Sequence, residues 1–219
     1  MQVKLSQAVK MFFGNSSLEM VFFEAIANAL DAEANEITIS ITAKALNQPE
    51  TLQIEISDNG LGFTNERYNK FSKLFDVEES SHKGLGRLVY LCYFDDVKVI
   101  SNYDKVKVRE FDFNEGFKED NFKSSIVPET KSGTVFKMTS YVLQRIAKNE
   151  YVSADYLKSR ILQEFYSRLF HLKDNGQRVV ININTNIENH KKELILLNSD
   201  IPKFKTVELE SSVNLIDTF

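Results

Sequence analysis

Residues 17–32 read SLEMVFFEAIANALDA, a run in which apolar side chains recur at the spacing of an amphipathic helix. We therefore predict a helix from Ser17 to Ala32. Glu24, Asn28 and Asp31 follow one another at intervals of four and three residues, so a helix places them on one face. That face is either a solvent-exposed stripe or the polar wall of a functional site, and the helix alone leaves both interpretations open.

The remaining elements predict an α+β fold. Two segments alternate strictly between apolar and polar residues, which is typical of half-buried strands: Ile37–Thr42 and Leu52–Ser57. Four more strands are predicted at Val97–Ser101, Val106–Phe113, Thr134–Thr139 and Arg178–Asn184. Further helices are predicted to begin at Gly84 and to span Ser153–Leu172, with an irregular stretch over Asn114–Ser132. This order favours a two-layer α/β sandwich with a mostly antiparallel sheet and helices on one face.

A glycine motif follows the second strand directly. The sequence Asp58-Asn-Gly-Leu-Gly places Gly60 and Gly62 where the backbone can turn sharply and approach a ligand closely. Asp58, at the strand end, can accept a hydrogen bond from an amino group in a pocket. A tight turn with a capping aspartate is the alternative. A Rossmann loop would need a third glycine at position 65, which is Asn65, and the chain contains no Walker phosphate loop.

A long polar connection leads to a second glycine motif. Residues 62–84 show a helical pattern only around Glu66–Phe75, and a connection of this length is more often a functional lid than a plain linker. It ends in His82-Lys-Gly-Leu-Gly-Arg, where backbone amides at a helix start, with Lys83 and Arg87, favour an anion. A flexible hinge is the alternative. Ser132-Gly-Thr134, at the entrance to a later strand, indicates little alone.

Taken together and in this order, the four motifs resemble the GHKL ATPase superfamily, which contains gyrase B, the heat-shock chaperone ATPases, histidine kinases and MutL. The resemblance covers roughly residues 15–140. The Ile-Ala-Asn-Ala-Leu-Asp-Ala box is most similar to MutL and MORC proteins, and Lys-Gly-Leu-Gly-Arg is similar to histidine-kinase-like ATPases of bacteria. The resemblance implies the Bergerat fold, in which a nucleotide lies between helices and one face of an antiparallel sheet, beneath an ATP lid.

The resemblance also implies roles for individual residues. Glu24 would be the general base that activates the attacking water. Asn28 would be the single protein ligand of Mg²⁺, because this ion prefers oxygen ligands and takes most of them from phosphates and water. Asp58 would accept a hydrogen bond from the adenine amino group, and Thr134 would support Asp58 through water.

The glycine motifs would hold the rest of the nucleotide. Gly60 and Gly62 would form the floor of the pocket. The phosphates would be wrapped by the second glycine motif, which consists of Lys83, Gly84, Leu85, Gly86 and Arg87.

These roles predict an ATPase that depends on ATP and Mg²⁺. ATP binding would order a lid from Thr64 to Lys83 and slow hydrolysis would release it, which would drive a conformational switch or a homodimer contact in a larger ATPase. Related ATPases place a lysine or arginine from a second domain on the γ-phosphate, so we expect a further domain or a partner protein to supply it. The alternative is a non-hydrolysing nucleotide sensor that regulates a partner, and an interaction module with a degenerate site is a third.

Composition restricts the remaining classes. The 27 basic and 31 acidic side chains leave a net charge of −4, which argues against strong DNA binding and leaves only a local basic face open. Cys92 is alone, so an internal disulfide is excluded. The longest apolar run, Leu88–Phe94, is too short to span a membrane. We expect a cytoplasmic protein with one ATP-binding domain over residues 1–200 and a tail or following module over 201–219.

Overall fold

The computed structural model describes residues 9, 11, 13–73, 85–146 and 148–203, and eight strands of this described chain form one sheet. The strands are β1 (Glu36–Ala43), β2 (Gln53–Asp58), β3 (Phe94–Tyr103), β4 (Lys107–Phe113), β5 (Lys123–Ile126), β6 (Gly133–Tyr141), β7 (Val180–Ile187) and β8 (His190–Leu196). The helices are α1 (Glu19–Asp31), α2 (Asn65–Ser72), α3 (Tyr90–Tyr93), α4 (Ala154–Glu164) and α5 (Tyr166–Asp174). Short 3₁₀ turns lie at Pro49–Thr51, Gly86–Val89, Asn149–Val152 and Asn198–Asp200.

The strand order in the sheet is β5-β4-β3-β6-β2-β1-β7-β8. Every neighbouring pair is antiparallel except β1 and β7, which run parallel. The α+β class and the mostly antiparallel sheet are thus confirmed. In the register, Thr134 of β6 lies opposite both Asp58 of β2 and Ser101 of β3. Because directly paired residues share a face, these three polar side chains form a row across neighbouring strands.

The core lies between the sheet and the helices. Ile37, Ile39 and Ile41 of β1 have no exposed surface, and neither have Phe22 and Ile26 of α1. Full burial of such a side chain contributes about 1.5–3 kcal/mol, so these residues fix the helix against the sheet. On the polar face of α1, Glu24 and Asn28 are half-buried, whereas Asp31 at the end of the helix is exposed.

The prediction of one long helix over Ser153–Leu172 was wrong. The helix ends at Glu164, and Phe165 interrupts it with φ −101° and ψ 12° before α5 begins. The Phe165 ring packs edge-on against Phe23 of α1, with 6.1 Å between ring centroids. Tertiary packing of this aromatic side chain therefore overrides the continuous helical pattern.

Two other segments differ from the prediction. The helix expected from Gly84, which lies outside the described residues, is a 3₁₀ turn over Gly86–Val89 and a single turn of α3, because β3 already begins at Phe94. The stretch expected to be irregular, 114–132, contains β5. All four side chains of β5 are exposed, so no alternation marks it as a strand.

The remaining predictions concern the ends of the chain and the membrane. None of the described helices has the length and the apolar character needed to cross a bilayer. Residues 204–219 lie outside the described part, so the boundary expected at residue 200 stays a prediction.

Candidate functional site

A cavity of about 790 Å³ lies between α1, the ends of β2 and β6, helix α2 and the turn at Gly86. Seven of the predicted site residues line it: Glu24, Asn28, Asp58, Gly62, Gly86, Arg87 and Thr134. Gly60 and Leu85 are described but do not line it, and Lys83 and Gly84 are outside the described residues. Residues separated by more than one hundred positions in the chain therefore meet around one space.

Glu24 and Asn28 form a hydrogen-bonded pair on α1. The Asn28 amide nitrogen donates to Oε1 of Glu24 over 3.0 Å, as the four-residue spacing on a helix allows. Burial raises the pKa of Glu24, while the bond from Asn28 and the positive charge of Arg87 lower it in part. The carboxylate is thus held in one position with Oε2 turned toward Gly86.

The turn at Gly86 closes on this carboxylate. A Cβ atom at position 86 would lie only 2.1 Å from Oε2 of Glu24, so only glycine allows the backbone to come this close. This is a structural reason for one of the glycines that the motif predicted.

Arg87 is a buried cation beside the pair. Only 5% of its surface is exposed, its Nη2 donates to the backbone oxygen of Lys73 over 3.1 Å, and its guanidinium lies 4.9 Å from the Phe71 ring centre. Its Nε is buried and has no hydrogen-bond partner among the described residues. Burial lowers the pKa of Arg87 to about 10, although the charge of Glu24 raises it, so the side chain is cationic at neutral pH.

Asp58 occupies the end of β2. Burial raises its pKa, and the backbone amides of Gly60 and Thr134 lower it in part; the Gly60 amide donates to Oδ1 over 2.8 Å. A Cβ at position 60 would lie 2.5 Å from the backbone oxygen of Ala32, so this turn packs tightly against the end of α1. Asp58 also lines the cavity, so its carboxylate is an acceptor at the cavity wall.

Ser101 is a buried polar residue of this site that the sequence did not reveal. Its hydroxyl oxygen accepts from the Phe63 amide over 2.7 Å and shares a hydrogen bond of 3.2 Å with the hydroxyl of Thr134. It also packs beside Gly62, where φ is +71°. Thr134 is thus fixed by Ser101, and its predicted link to Asp58 through water stays a prediction. One serine inside an alternating strand carries no signal in the sequence.

Arg109 is a second residue that the sequence did not reveal. It is 3% exposed and donates to the backbone oxygen of Phe63 and to Oδ1 of Asn65, over 2.7 and 2.6 Å. Its guanidinium also lies within 5 Å of three aromatic ring centres: Tyr68, Tyr103 and Phe122. The first half of the expected lid, Thr64–Ser72, is consequently a capped helix packed on the sheet, whereas residues 74–84 are outside the described part.

Helix α2 adds cations to the cavity wall that no motif indicated. Arg67 and Lys70 both line the cavity, and the charge of Arg67 contributes to lowering the pKa of Asp58. The Arg67 guanidinium also donates to the backbone oxygen of Asp31 over 3.0 Å, while the Asp31 carboxylate pairs with Arg168 at 2.8 Å. Asp31 therefore acts as a structural link between helices.

The residues of this site lie in a segment that matches a known protein family. The family described as histidine kinase-, DNA gyrase B-, and HSP90-like ATPase matches residues 14–140, which is more than half of the chain. No curated protein matches the chain in sequence.

Two solved structures share the fold at low sequence identity. The N-terminal domain of a DNA repair protein is similar with a TM-score of 0.57 and 16% identity, over 91% of this chain and 58% of that one. The topoisomerase IV ATP-binding domain of Francisella tularensis, solved with a small-molecule inhibitor, has a TM-score of 0.55 and 16% identity, over 86% of this chain and 92% of that one. The Aquifex aeolicus MutL ATPase domain complexed with ADP has a TM-score of 0.47 and 17% identity, over 82% of this chain and 63% of that one. The chain therefore spans little more than half of the DNA repair structure.

Proposed function

Because the chain belongs to the histidine kinase-, DNA gyrase B- and HSP90-like ATPase family, the GHKL superfamily that its motifs resemble, we propose that it binds ATP with Mg²⁺ and hydrolyses it slowly. Hydrolysis would drive a conformational or dimerisation switch. The observation that carries this proposal is the cavity in which Glu24, Asn28, Arg87 and Asp58 meet. A glutamate, an amide, a buried cation and a second carboxylate are the groups needed to activate water, bind a metal, hold phosphate and recognise a base.

Asp58 would select adenine. Its carboxylate, oriented by the Gly60 amide, can accept a hydrogen bond from the adenine amino group. Guanine presents a carbonyl at that position, which would leave a buried carboxylate facing another acceptor. The cavity therefore favours ATP over GTP.

The metal and the phosphates fit residues that surround Glu24. Among the described residues, no group of three or more His, Cys, Asp or Glu side chains could hold a metal ion. Magnesium needs few protein ligands, and the Asn28 amide, whose nitrogen donates to Glu24, has its oxygen left for a metal. Bound magnesium would neutralise phosphate charge. The Nε of Arg87, which has no partner in the described part of the chain, would donate to a phosphate oxygen, which Lys83 and Gly84 would also contact.

Glu24 would act as the general base. Asn28 holds Oε1 and leaves Oε2 to accept a proton from the attacking water. Burial, which raises the pKa of the carboxyl, makes it a better base at neutral pH than an exposed glutamate. Completion of the site by a further cation, from another domain or from a partner in a dimer, belongs to the same proposal.

Calorimetric titration tests binding first. The purified protein is titrated with a non-hydrolysable ATP analogue plus Mg²⁺, and with the corresponding GTP analogue. We expect binding that is selective for adenine and that disappears in Asp58→Asn. No heat and no thermal shift with either nucleotide would overturn the proposal.

Glu24→Ala then separates an ATPase from a sensor. The ATPase proposal expects the variant to keep nucleotide binding and to lose phosphate release, because only the base is removed. A non-hydrolysing sensor would show the same binding and the same absence of turnover in both proteins. Binding in the unmodified protein without any turnover would therefore favour the sensor.

A further inference from the structure

The tripeptide Asp-Asn-Gly occurs twice in the sequence, at residues 58–60 and at residues 174–176. In an Asn-Gly pair the backbone nitrogen of the glycine can attack the side-chain amide carbon of the asparagine, because glycine has no Cβ to hinder the approach. A succinimide ring forms and ammonia leaves, and water then opens the ring to aspartate or isoaspartate. Since both pairs follow an aspartate, the local sequence is matched and the folded structure decides how each pair behaves.

Asn59 is held against this reaction by hydrogen bonds. Its Oδ1 accepts from the backbone amides of Asn35 and Glu36, each over 3.0 Å, and its Nδ2 donates to Oδ1 of Asn35 over 2.7 Å. The attacking nitrogen is occupied as well, because the Gly60 amide donates to Oδ1 of Asp58 over 2.8 Å. These bonds must break before the Asn59 side chain can reach the glycine nitrogen.

Asn175 lies in a turn with much weaker restraints. It follows α5 directly and is exposed, and its side chain has one hydrogen bond within the described part of the chain, of 3.0 Å from the amide nitrogen to Nε2 of His171. A Cβ built at Gly176 meets no described residue within 4 Å beyond its chain neighbours, so the peptide has room to rotate. The Gly176 amide donates to the Lys173 oxygen over 3.0 Å, but this bond belongs to a helix end, which frays easily.

We propose that Asn175 is a site of spontaneous deamidation in the folded protein, whereas Asn59 is protected. When the end of α5 opens, the Gly176 nitrogen forms a bond to Cγ of Asn175, the bond from Cγ to Nδ2 breaks, and the glycine proton leaves with the ammonia. Water then adds to one of the two ring carbonyls. Attack at Cγ gives aspartate, and attack at the backbone carbonyl gives isoaspartate, so water is the one reactant that the protein does not supply.

The product changes the connection between α5 and β7. A carboxylate at position 175 places a negative charge at the carboxyl end of α5, where the helix dipole is itself negative. Isoaspartate also adds one carbon to the backbone ahead of β7, the strand that pairs with β1. Asn175 is not among the residues that line the cavity, so this inference is independent of the proposed function.

Hydroxylamine cleavage tests the inference, because hydroxylamine attacks the succinimide and cuts the chain after the asparagine. The folded protein is incubated with hydroxylamine at mildly alkaline pH, and the fragments are followed over time by mass spectrometry. We expect fragments 1–175 and 176–219 to form at least tenfold faster than fragments 1–59 and 60–219. A tenfold ratio corresponds to a difference of about 1.4 kcal/mol in the free energy of local opening.

The same incubation in urea, at a concentration that unfolds the protein, is the matched control. Both Asp-Asn-Gly sequences are then free of tertiary contacts, so the two cleavage rates should agree within about threefold. Asn175→Gln should abolish fragment 1–175, since the longer side chain does not form the five-membered ring. Asn35→Ala removes the bond to Nδ2 of Asn59 and should speed cleavage after Asn59 about fivefold, the factor that one hydrogen bond contributes.

Three results would count against the inference. Equal cleavage after Asn59 and Asn175 in the folded protein would show that the hydrogen bonds of Asn59 give no protection. Absence of fragment 1–175 from the folded protein, with both cuts present in urea, would show that the end of α5 does not open. Absence of both cuts in urea would show that neither Asn-Gly pair is reactive, and the inference would again be overturned.

Discussion

Replacement of Gly86 by alanine should disable Glu24 without a new charge or a large side chain. The added Cβ would lie 2.1 Å from Oε2 of Glu24, whereas ordinary contacts begin at 3.4 Å, so the carboxylate must move by the difference, about 1.3 Å. That movement strains or breaks its 3.0 Å hydrogen bond with Asn28. Because a misplacement of about 1 Å can reduce turnover about 100-fold, we expect a loss of that size in steady-state phosphate release.

Two controls make this prediction specific: the binding of adenosine and an alanine substitution at another glycine. Adenosine affinity, which the proposed function assigns to Asp58, should stay within about twofold in Gly86→Ala, because the two residues have separate contacts. Gly116→Ala is the control, since its added Cβ meets Asn114 at 3.4 Å, an ordinary contact. If Gly86→Ala releases phosphate within about threefold of the unmodified protein, the Glu24 carboxylate is not the base at this position.

Three further predictions concern charge. Arg87→Gln should weaken ATP binding at least tenfold and leave adenosine binding unchanged by calorimetry, because the buried cation would contact phosphate only. Burial disfavours the Glu19 carboxylate, but hydrogen bonds from Arg160 and Tyr156 hold its pKa below the ordinary value of a glutamate. Glu19→Gln should therefore cost about 1 kcal/mol at neutral pH. That difference should disappear as the pH falls through this lowered pKa, because the carboxylate is then protonated in both the folded and the unfolded protein, as thermal unfolding would show. Arg109→Met should lower the free energy of unfolding by about 3 kcal/mol in urea, since bonds from charged donors contribute about 1.5–3 kcal/mol, while exposed Arg145→Met should not.

Helical spacing and the properties of glycine in turns were sufficient to predict how the residues of the motifs are arranged. Helical spacing predicted that Glu24 and Asn28 share a face, and the structure joins them by a hydrogen bond. Close approach of the backbone was expected at Gly60 and Gly62, and another group lies within 3.0 Å of the position that a Cβ would take at both of them, as it does at Gly86. These features depend on bonds within one helix or one turn, so one segment of sequence contains the information.

Features that depend on tertiary packing could not be predicted. Val108 and Arg109 are adjacent in β4 and both are buried, although neighbouring residues of a strand face opposite sides of the sheet. Arg109 shares its side with the core residues Phe111 and Phe113 and meets aromatic rings from α2 and β3. A charged side chain is ordinarily assigned to solvent, so the sequence alone does not reveal this buried arginine. The edge strand β8, with its first four side chains exposed, shows no alternation between buried and exposed faces and was therefore missed.

The cost of the polar cluster argues for a ligand. Burial raises the pKa of Glu24 and lowers that of Arg87, so each charge is disfavoured where it lies, and Arg87 Nε and the Tyr90 hydroxyl have no partner among the described residues. A core that served only stability would replace such groups by apolar ones, since that exchange is often neutral or favourable. A bound triphosphate would give the arginine a partner. We therefore expect the protein to gain more stability from nucleotide with Mg²⁺ than from adenosine, which does not reach the arginine.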